Sequence, residues 1–344
     1  MSAAPTRIGV IGCGLIARRT HLPAYAASDD AELVAVCSGS RASAESAAAE
    51  FGVRRVHDDW RALIADPEID AVDICAPNVL HAPIAIAASW AGKHVLVEKP
   101  MALSLAEADA MIAAAREAGR VLMVAHNLRY QPVYEAIKRI VADGLIGRPL
   151  AARGVFMHAG PDEFWGATSD WFWQEQTAGG GALLDMGIHM IDLLRWFIDE
   201  PVVEVEAMTA RLAKPTFADD NAFVLLRFAG GAIVSMQASW TARPFPDREV
   251  VIHGERGHVA LGRAQGEPPT LHVQDAGPES ARKVDVALPA VSALVNPFVH
   301  FLRVVREGVP PLTSGEEGRA TLAVTLAAYE AARSGRKVVL PGVT

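Results

Sequence analysis

The chain is predicted to be an α/β protein. An N-terminal doubly wound domain is expected over residues 1–126, followed over 127–344 by an α+β domain built on an open, mostly antiparallel sheet. Three observations carry this expectation. Through the first stretch, short apolar runs alternate with amphipathic segments. From about residue 149 strand-like segments follow one another with few helices between them. A chain of 344 residues also exceeds what one ordinary hydrophobic core organises, so two domains are expected.

In chain order, Ile8 to Ile11, Leu33 to Cys37, Val72 to Ala76, Val95 to Val97 and Val121 to Ala125 are strand candidates of the first domain. Helices fit between them. Ser104 to Ala118 is one, opened by a Ser104/Glu107 capping box and stopped by Gly119. Strand–helix alternation implies parallel strands with crossover helices. In the second half Leu150 to Met157, Val202 to Ala210, Ala222 to Phe228, Ala232 to Ser239, Glu249 to His253 and Leu271 to Gln274 are strand candidates, and their direct succession favours antiparallel pairing. A helix is expected to start near Gly181, where three glycines open onto Leu184, Ile188 and Ile191 at helical spacing. Two helices, near Val295 to Arg306 and Glu316 to Arg333, and a short strand at Lys337 to Leu340 close the chain.

A net charge of −8 argues against a nucleic-acid partner, since phosphate binding needs a basic face. No apolar run reaches membrane-spanning length, and no charged head followed by an apolar stretch marks a secretory signal. Cys13, Cys37 and Cys75 are an odd number without Cys-x-x-Cys spacing, which fits buried thiols in a reducing compartment. A cytoplasmic enzyme is expected.

The first strand runs into Gly12-Cys13-Gly14-Leu15-Ile16-Ala17, a G-x-G-x-x-A turn. Gly12 makes the tight turn, Gly14 lets the backbone approach a pyrophosphate, and Ala17 allows close helix–strand packing. The helix that opens at Leu15 and Ile16 then aims its N-terminus at the phosphates. After the second strand, NAD-binding folds usually carry an acid for the ribose hydroxyls. Here the residues are Ser38-Gly39-Ser40-Arg41, two hydroxyls and a guanidinium suited to a 2′-phosphate, so NADP is favoured over NAD.

Two further motifs carry chemistry. Glu98-Lys99-Pro100 ends a predicted parallel strand, the edge where doubly wound sheets hold ligands, and Lys99 there can reach a substrate oxygen. On the helix after Gly181, Asp185 and His189 lie one turn apart, where a carboxylate can orient an imidazole and raise its basicity. The same pair could begin a zinc site, but no local spacing nominates a third ligand among His81, His94 and His126, so no metal is expected.

Together these residues resemble the glucose–fructose oxidoreductase, inositol dehydrogenase and MocA (Gfo/Idh/MocA) family, along nearly the whole chain. The resemblance runs through the glycine turn, Ala76-Pro77-Asn78-Val79-Leu80-His81 and Ala91 to Pro100. It continues through His126-Asn127-Leu128-Arg129-Tyr130-Gln131-Pro132, Gly144 to Gly147 and Gly179 to Asp192. It implies a Rossmann domain followed by an open antiparallel sheet, and a Lys99, Asp185, His189 catalytic set. It also implies that Pro77, Asn78 and Glu98 lie near the nicotinamide half of the cofactor, with His81 in the same stretch. Ser38 departs from members that carry an acid there.

The implied activity is hydride transfer between nicotinamide and a secondary alcohol or ketone of a sugar, inositol or related polyol. Substrate-binding candidates are Lys99, Asn127, Arg129, Tyr130, Asp185, His189 and Trp173. The last belongs to an aromatic cluster with Phe164, Trp165, Trp171 and Phe172. His21 and His253 are taken as ordinary structural histidines. A homodimer or homotetramer is expected. The competing readings are a glycoside hydrolase using NAD for transient oxidation, and a cofactor-binding regulator.

Overall fold

The computed structural model describes residues 4–262, 267–275, 277–288, 292 and 295–341. They fall into two compact units. One comprises Met1–His126, Gln176–Gly179 and Leu294–Leu322; the other comprises Asn127–Glu175, Gly180–Ala293 and Ala323–Thr344.

The first unit is built on six parallel strands: β1 (Thr6–Ile11), β2 (Ala31–Cys37), β3 (Arg55–His57), β4 (Ala71–Ile74), β5 (His94–Val97) and β6 (Leu122–Val124). Their spatial order is β3-β2-β1-β4-β5-β6, so the order reverses between β1 and β4, the crevice where such sheets bind dinucleotides. Val10, Val34, Val36, Ile74 and Val95 are fully buried, as strands covered by helices on both faces require. The three-residue β3 has no apolar run to announce it, and the sequence pattern did not indicate it. Reading the chain linearly also assigned residues 176–179 and 294–322 to the second half. They pack with the first unit because Asn78 Nδ2 donates to Ala178 O (2.8 Å), and Phe298 of the helix Pro297–Glu307 packs on the rings of His21 and Tyr25.

The second unit carries nine strands: β7 (Pro149–Met157), β8 (Val202–Ala210), β9 (Asn221–Phe228), β10 (Ile233–Ser239), β11 (Asp247–Gly254), β12 (Gly257–Ala260), β13 (Thr270–Val273), β14 (Arg282–Val284) and β15 (Val338–Val339). Their order is β14-β13-β12-β11-β7-β10-β9-β8-β15, antiparallel throughout except for β7 beside β10. The short β12 and β14 were not indicated by the sequence pattern. One face packs against the helix Ile188–Ile198, around Phe197, Phe228 and Trp240. The other face leaves Met208, Phe223, Leu225 and Ile233 exposed. Among the described residues, no helix is long and apolar enough to cross a membrane.

Candidate active site

In the first unit, β1 hands over to Gly12, whose φ of +98° only glycine adopts readily. A Cβ there would stand 2.5 Å from the Cys75 carbonyl, and the Gly12 N–H is held by Cys37 O at 2.8 Å. At Gly14 a Cβ would meet no protein atom within 4 Å, so the protein's own packing does not demand glycine there, while a bare backbone is what a pyrophosphate needs. Residues 15–26 are helical, with buried Ala17 against the sheet and Leu15 and Ile16 about a third exposed. Arg18 braces the turn by donating to Cys13 O (3.3 Å) and Ser43 O (2.9 Å). These features fit a dinucleotide.

The residues beyond β2 are more committed than expected. Ser38 Oγ accepts from Cys13 N at 3.5 Å. Ser40, expected at the cofactor phosphate, instead caps the helix Arg41–Phe51 by accepting from Ser43 N. Arg41 is exposed but pairs with Glu45 (2.8 Å) and Asp58.

At the carboxyl ends of β4 and β5, Lys99 is the half-buried position in a segment where Glu98, Pro100, Met101 and Ala102 are buried. Its N–H is fixed by Glu98 Oε2 at 3.0 Å. His81 was expected to meet the cofactor. It is instead 1% exposed, and its ring nitrogens face Ala76 O (2.8 Å) and Pro100 O (2.7 Å), so it ties the two strand ends together. Burial holds it below the usual histidine pKa. Pro77 and Asn78 are half-buried, with the Asn78 carboxamide holding residue 178.

Sequence reasoning missed the partner of Glu98. His21 lies between two acids, with Nδ1 2.8 Å from Asp73 Oδ2 and Nε2 3.0 Å from Glu98 Oε1, and the ring is wholly buried. The signal was present: Asp73 and Glu98 stand in apolar strand contexts, and buried acids demand a partner.

In the second unit the expected helix begins with a wide π turn, Leu183–Gly187, that runs into Ile188–Ile198. Such turns recur at functional sites. Every residue from 181 to 194 is buried except the half-buried Asp185 and His189, so within this stretch only the two polar candidates reach outward, Arg195 and Trp196 following in the last turn. Asp185 Oδ2 accepts from the Trp240 indole (3.1 Å), and the His189 ring packs 5.8 Å from Phe156.

A helix start leaves four N–H groups without intrahelical partners. Here Gly181 and Leu184 donate to Tyr329 Oη (3.0 and 3.2 Å), Ala182 to Asp219 O (2.9 Å) and Leu183 to Asp219 Oδ2 (2.7 Å). Tyr329 in turn donates to Asp219 Oδ1 (2.8 Å). Burial pushes the Asp219 carboxyl up, with these donors pulling the other way. Gly181 is required because a Cβ would fall 1.8 Å from Asp219 O.

Arg129 and Tyr130 were candidates for substrate hydroxyls, Arg129 equally for a structural role, and both are buried. Arg129 is 1% exposed, its guanidinium closed bidentately on buried Asp192 (2.8 and 2.7 Å), and Tyr130 is buried beside it in sequence. Asn127 is half-buried, and Trp173 lies edge-on to Trp240 at 5.7 Å, two contacts from Asp185.

Residues 6–126 match the model of an oxidoreductase family with an NAD-binding Rossmann fold, and residues 134–260 match the GFO/IDH/MocA C-terminal domain. The chain belongs to the Gfo/Idh/MocA family. This member is therefore an oxidoreductase with an NAD-binding Rossmann domain. It is 33% identical to a D-apiose dehydrogenase of Paraburkholderia graminis, over 96% of this chain and 88% of that protein. It is 30% identical to a myo-inositol 2-dehydrogenase of Thermotoga maritima, over 98% and 99%. Its fold matches a levoglucosan dehydrogenase solved with NADH and levoglucosan, with a TM-score of 0.85 at 28% identity, over 98% and 100% of the two chains. All three are named dehydrogenases, which favours oxidoreduction over the glycosidase and regulatory readings.

Proposed function

We propose that this family member moves hydride between NAD(P) and a secondary alcohol or ketone of a sugar, inositol or related polyol. The observation that carries the reading is the helix at residues 181–194, which exposes only Asp185 and His189 from a buried segment. A segment that served packing alone would have no use for a carboxylate and an imidazole one turn apart at its only half-buried positions before Arg195. Gly12, Gly14, Leu15, Ile16, Ala17, Ser38, Pro77, Asn78 and Glu98 are the residues assigned to hold the cofactor. When bound, the nicotinamide supplies the hydride acceptor or donor.

In the oxidising direction His189 takes the proton of the substrate hydroxyl. Asp185, its Oδ2 fixed by the Trp240 indole, supports the charge that then develops on the imidazole. Lys99 hydrogen-bonds the reacting oxygen and stabilises charge there. Asn127 and Trp173 contribute to holding the substrate. Reduction uses the same groups in reverse.

The expected experiment is a screen of sugars, inositols and their keto forms with both cofactors, followed by nicotinamide absorbance. On the substrate found, Lys99→Ala and His189→Ala each lower kcat by about 10²–10⁴-fold. Because both groups are assigned to one oxygen, the double variant loses far less than the product of the single effects. Near wild-type kcat in both single variants overturns the roles.

NADP is proposed over NAD because no acid follows β2. Arg41 reaches a 2′-phosphate by exchanging exposed ion pairs, worth only about 0–1 kcal/mol each, for a doubly charged partner. A clear NAD preference in kcat/KM overturns this. A cytoplasmic homodimer or homotetramer completes the proposal.

A further inference from the structure

The ring of His21 fixes its own charge state. Each ring nitrogen faces one acid side chain, Asp73 at 2.8 Å and Glu98 at 3.0 Å, and these neighbours outweigh burial and hold the imidazole well above its ordinary pKa, so both nitrogens carry protons. His21 and Asp73 are closed off from solvent, and Glu98 alone of the three keeps slight exposure. Cys75 Sγ lies 3.2 Å from Nδ1 and 3.6 Å from Asp73 Oδ1, Phe298 covers the ring at 4.4 Å between centroids, and Tyr25 packs on Phe298. Burial pushes both the Cys75 thiol and the Tyr25 phenol up, so neither carries charge at neutral pH. His81 is occupied by two main-chain carbonyls, and Lys99 follows Glu98 in the chain.

The cluster thus sets an imidazolium between two acid side chains, and Glu98, held ionised by it, keeps a negative charge at the end of β5. A metal held by His21, Asp73 and Cys75 fits less well. Two ligands of one tetrahedral ion at 2.0–2.1 Å would stand about 3.3 Å apart, wider than the 2.8 Å between Nδ1 and Oδ2.

Its place in the sheet gives this charge a use. The ribose acid of the first mononucleotide follows β2, so the second, nicotinamide-bearing mononucleotide belongs to the β4–β6 half, at whose carboxyl ends Asp73 and Glu98 stand. We propose that His21 is a positioning residue of the dinucleotide site: it holds Glu98 ionised and fixed at the end of β5, and the negative charge kept there favours oxidised nicotinamide, a cation, over the neutral reduced form. This rests on the dinucleotide reading of the first unit.

The test compares affinities, not turnover. On the full chain without substrate, reduced cofactor is titrated by its own fluorescence and oxidised cofactor by competition against it. Glu98→Gln keeps the side chain's shape and removes one negative charge. It is expected to weaken the oxidised form relative to the reduced by roughly ten- to fiftyfold, the scale of one charge several ångströms away at an effective dielectric near 20.

His21→Gln strips the cation and lets the buried carboxylate pick up a proton near neutrality. The preference for the oxidised form then rises with pH more steeply than in the wild type, as that carboxylate ionises. A role in packing alone would weaken both forms together. An unchanged oxidised-to-reduced ratio in Glu98→Gln and in any folded His21→Gln, while the wild type binds both forms, overturns the proposal and leaves the dinucleotide reading standing. A wild type that binds neither form overturns both.

Discussion

A charged side chain inside a protein has to be explained by what it faces, and Arg129 faces Asp192 through two parallel hydrogen bonds of 2.8 and 2.7 Å in a site with almost no solvent. Removing one partner strands the other charge. Arg129→Leu is expected to lower unfolding free energy by about 3–5 kcal/mol in urea titrations, while the folded fraction keeps the wild-type KM for substrate. A raised KM with unchanged stability would return Arg129 to the substrate.

His21 gives a second residue-level expectation. Burial lowers its pKa, but the charge of Asp73 overrides this and leaves it well above the ordinary 6.5. Burial raises Glu98, and the His21 hydrogen bond and charge override that, leaving it below 4.5. The histidine's contribution to stability is therefore whole below pH 6.5 and lost as pH rises through its folded pKa. The glutamate's is present above 4.5 and lost as pH falls through its own. Thermal melts across pH should show both losses in the wild type, and the acid loss should vanish in His21→Gln, where nothing holds the Glu98 carboxyl down.

The helix at 181–198 was legible because Leu184, Ile188 and Ile191 mark a helical face and the glycines mark its start. What the sequence could not show is why Gly180 and Gly181 are needed. The reason lies in Asp219 and Tyr329, 38 and 148 residues away from Gly181, which take all four N–H groups at the helix start. Tyr329→Phe leaves the Gly181 and Leu184 donors and the Asp219 acceptor short of a partner. It is expected to cost about 2–3 kcal/mol and to lower kcat more than cofactor affinity, since it loosens the carrier of Asp185 and His189 and touches nothing in the glycine turn. Equal losses in both would show that the cradle stabilises the chain without placing the pair. The same contrast explains the mixed outcome at the cofactor turn. Gly12 and Gly14 follow from a local motif, whereas the capping role of Ser40 and the surface pairs of Arg41 depend on where Ser43, Glu45 and Asp58 come to lie.

At the scale of the molecule, the parallel sheet was legible because strands buried on both faces appear as plain apolar runs, while the return of residues 294–322 to the first unit leaves no local trace. The nine-stranded sheet poses a different question, because one of its faces has no covering layer among the described residues. Met208 and Phe223 are direct neighbours across β8 and β9, and both are more than half exposed, at 78% and 55%. Leu225 and Ile233 extend the same apolar surface onto β10. A contiguous patch of large apolar side chains on a broad sheet is costly in water, and a second copy of the chain presenting the same face would bury it with twofold symmetry. The expected state is therefore a homodimer or homotetramer by light scattering. Phe223→Glu places a charge at the centre of that surface, with Met208 directly opposite, and should shift the protein to monomer while leaving its melting temperature at low concentration nearly unchanged. An oligomer that withstands this substitution would mean the subunits meet elsewhere, and the exposed row would then need another cover.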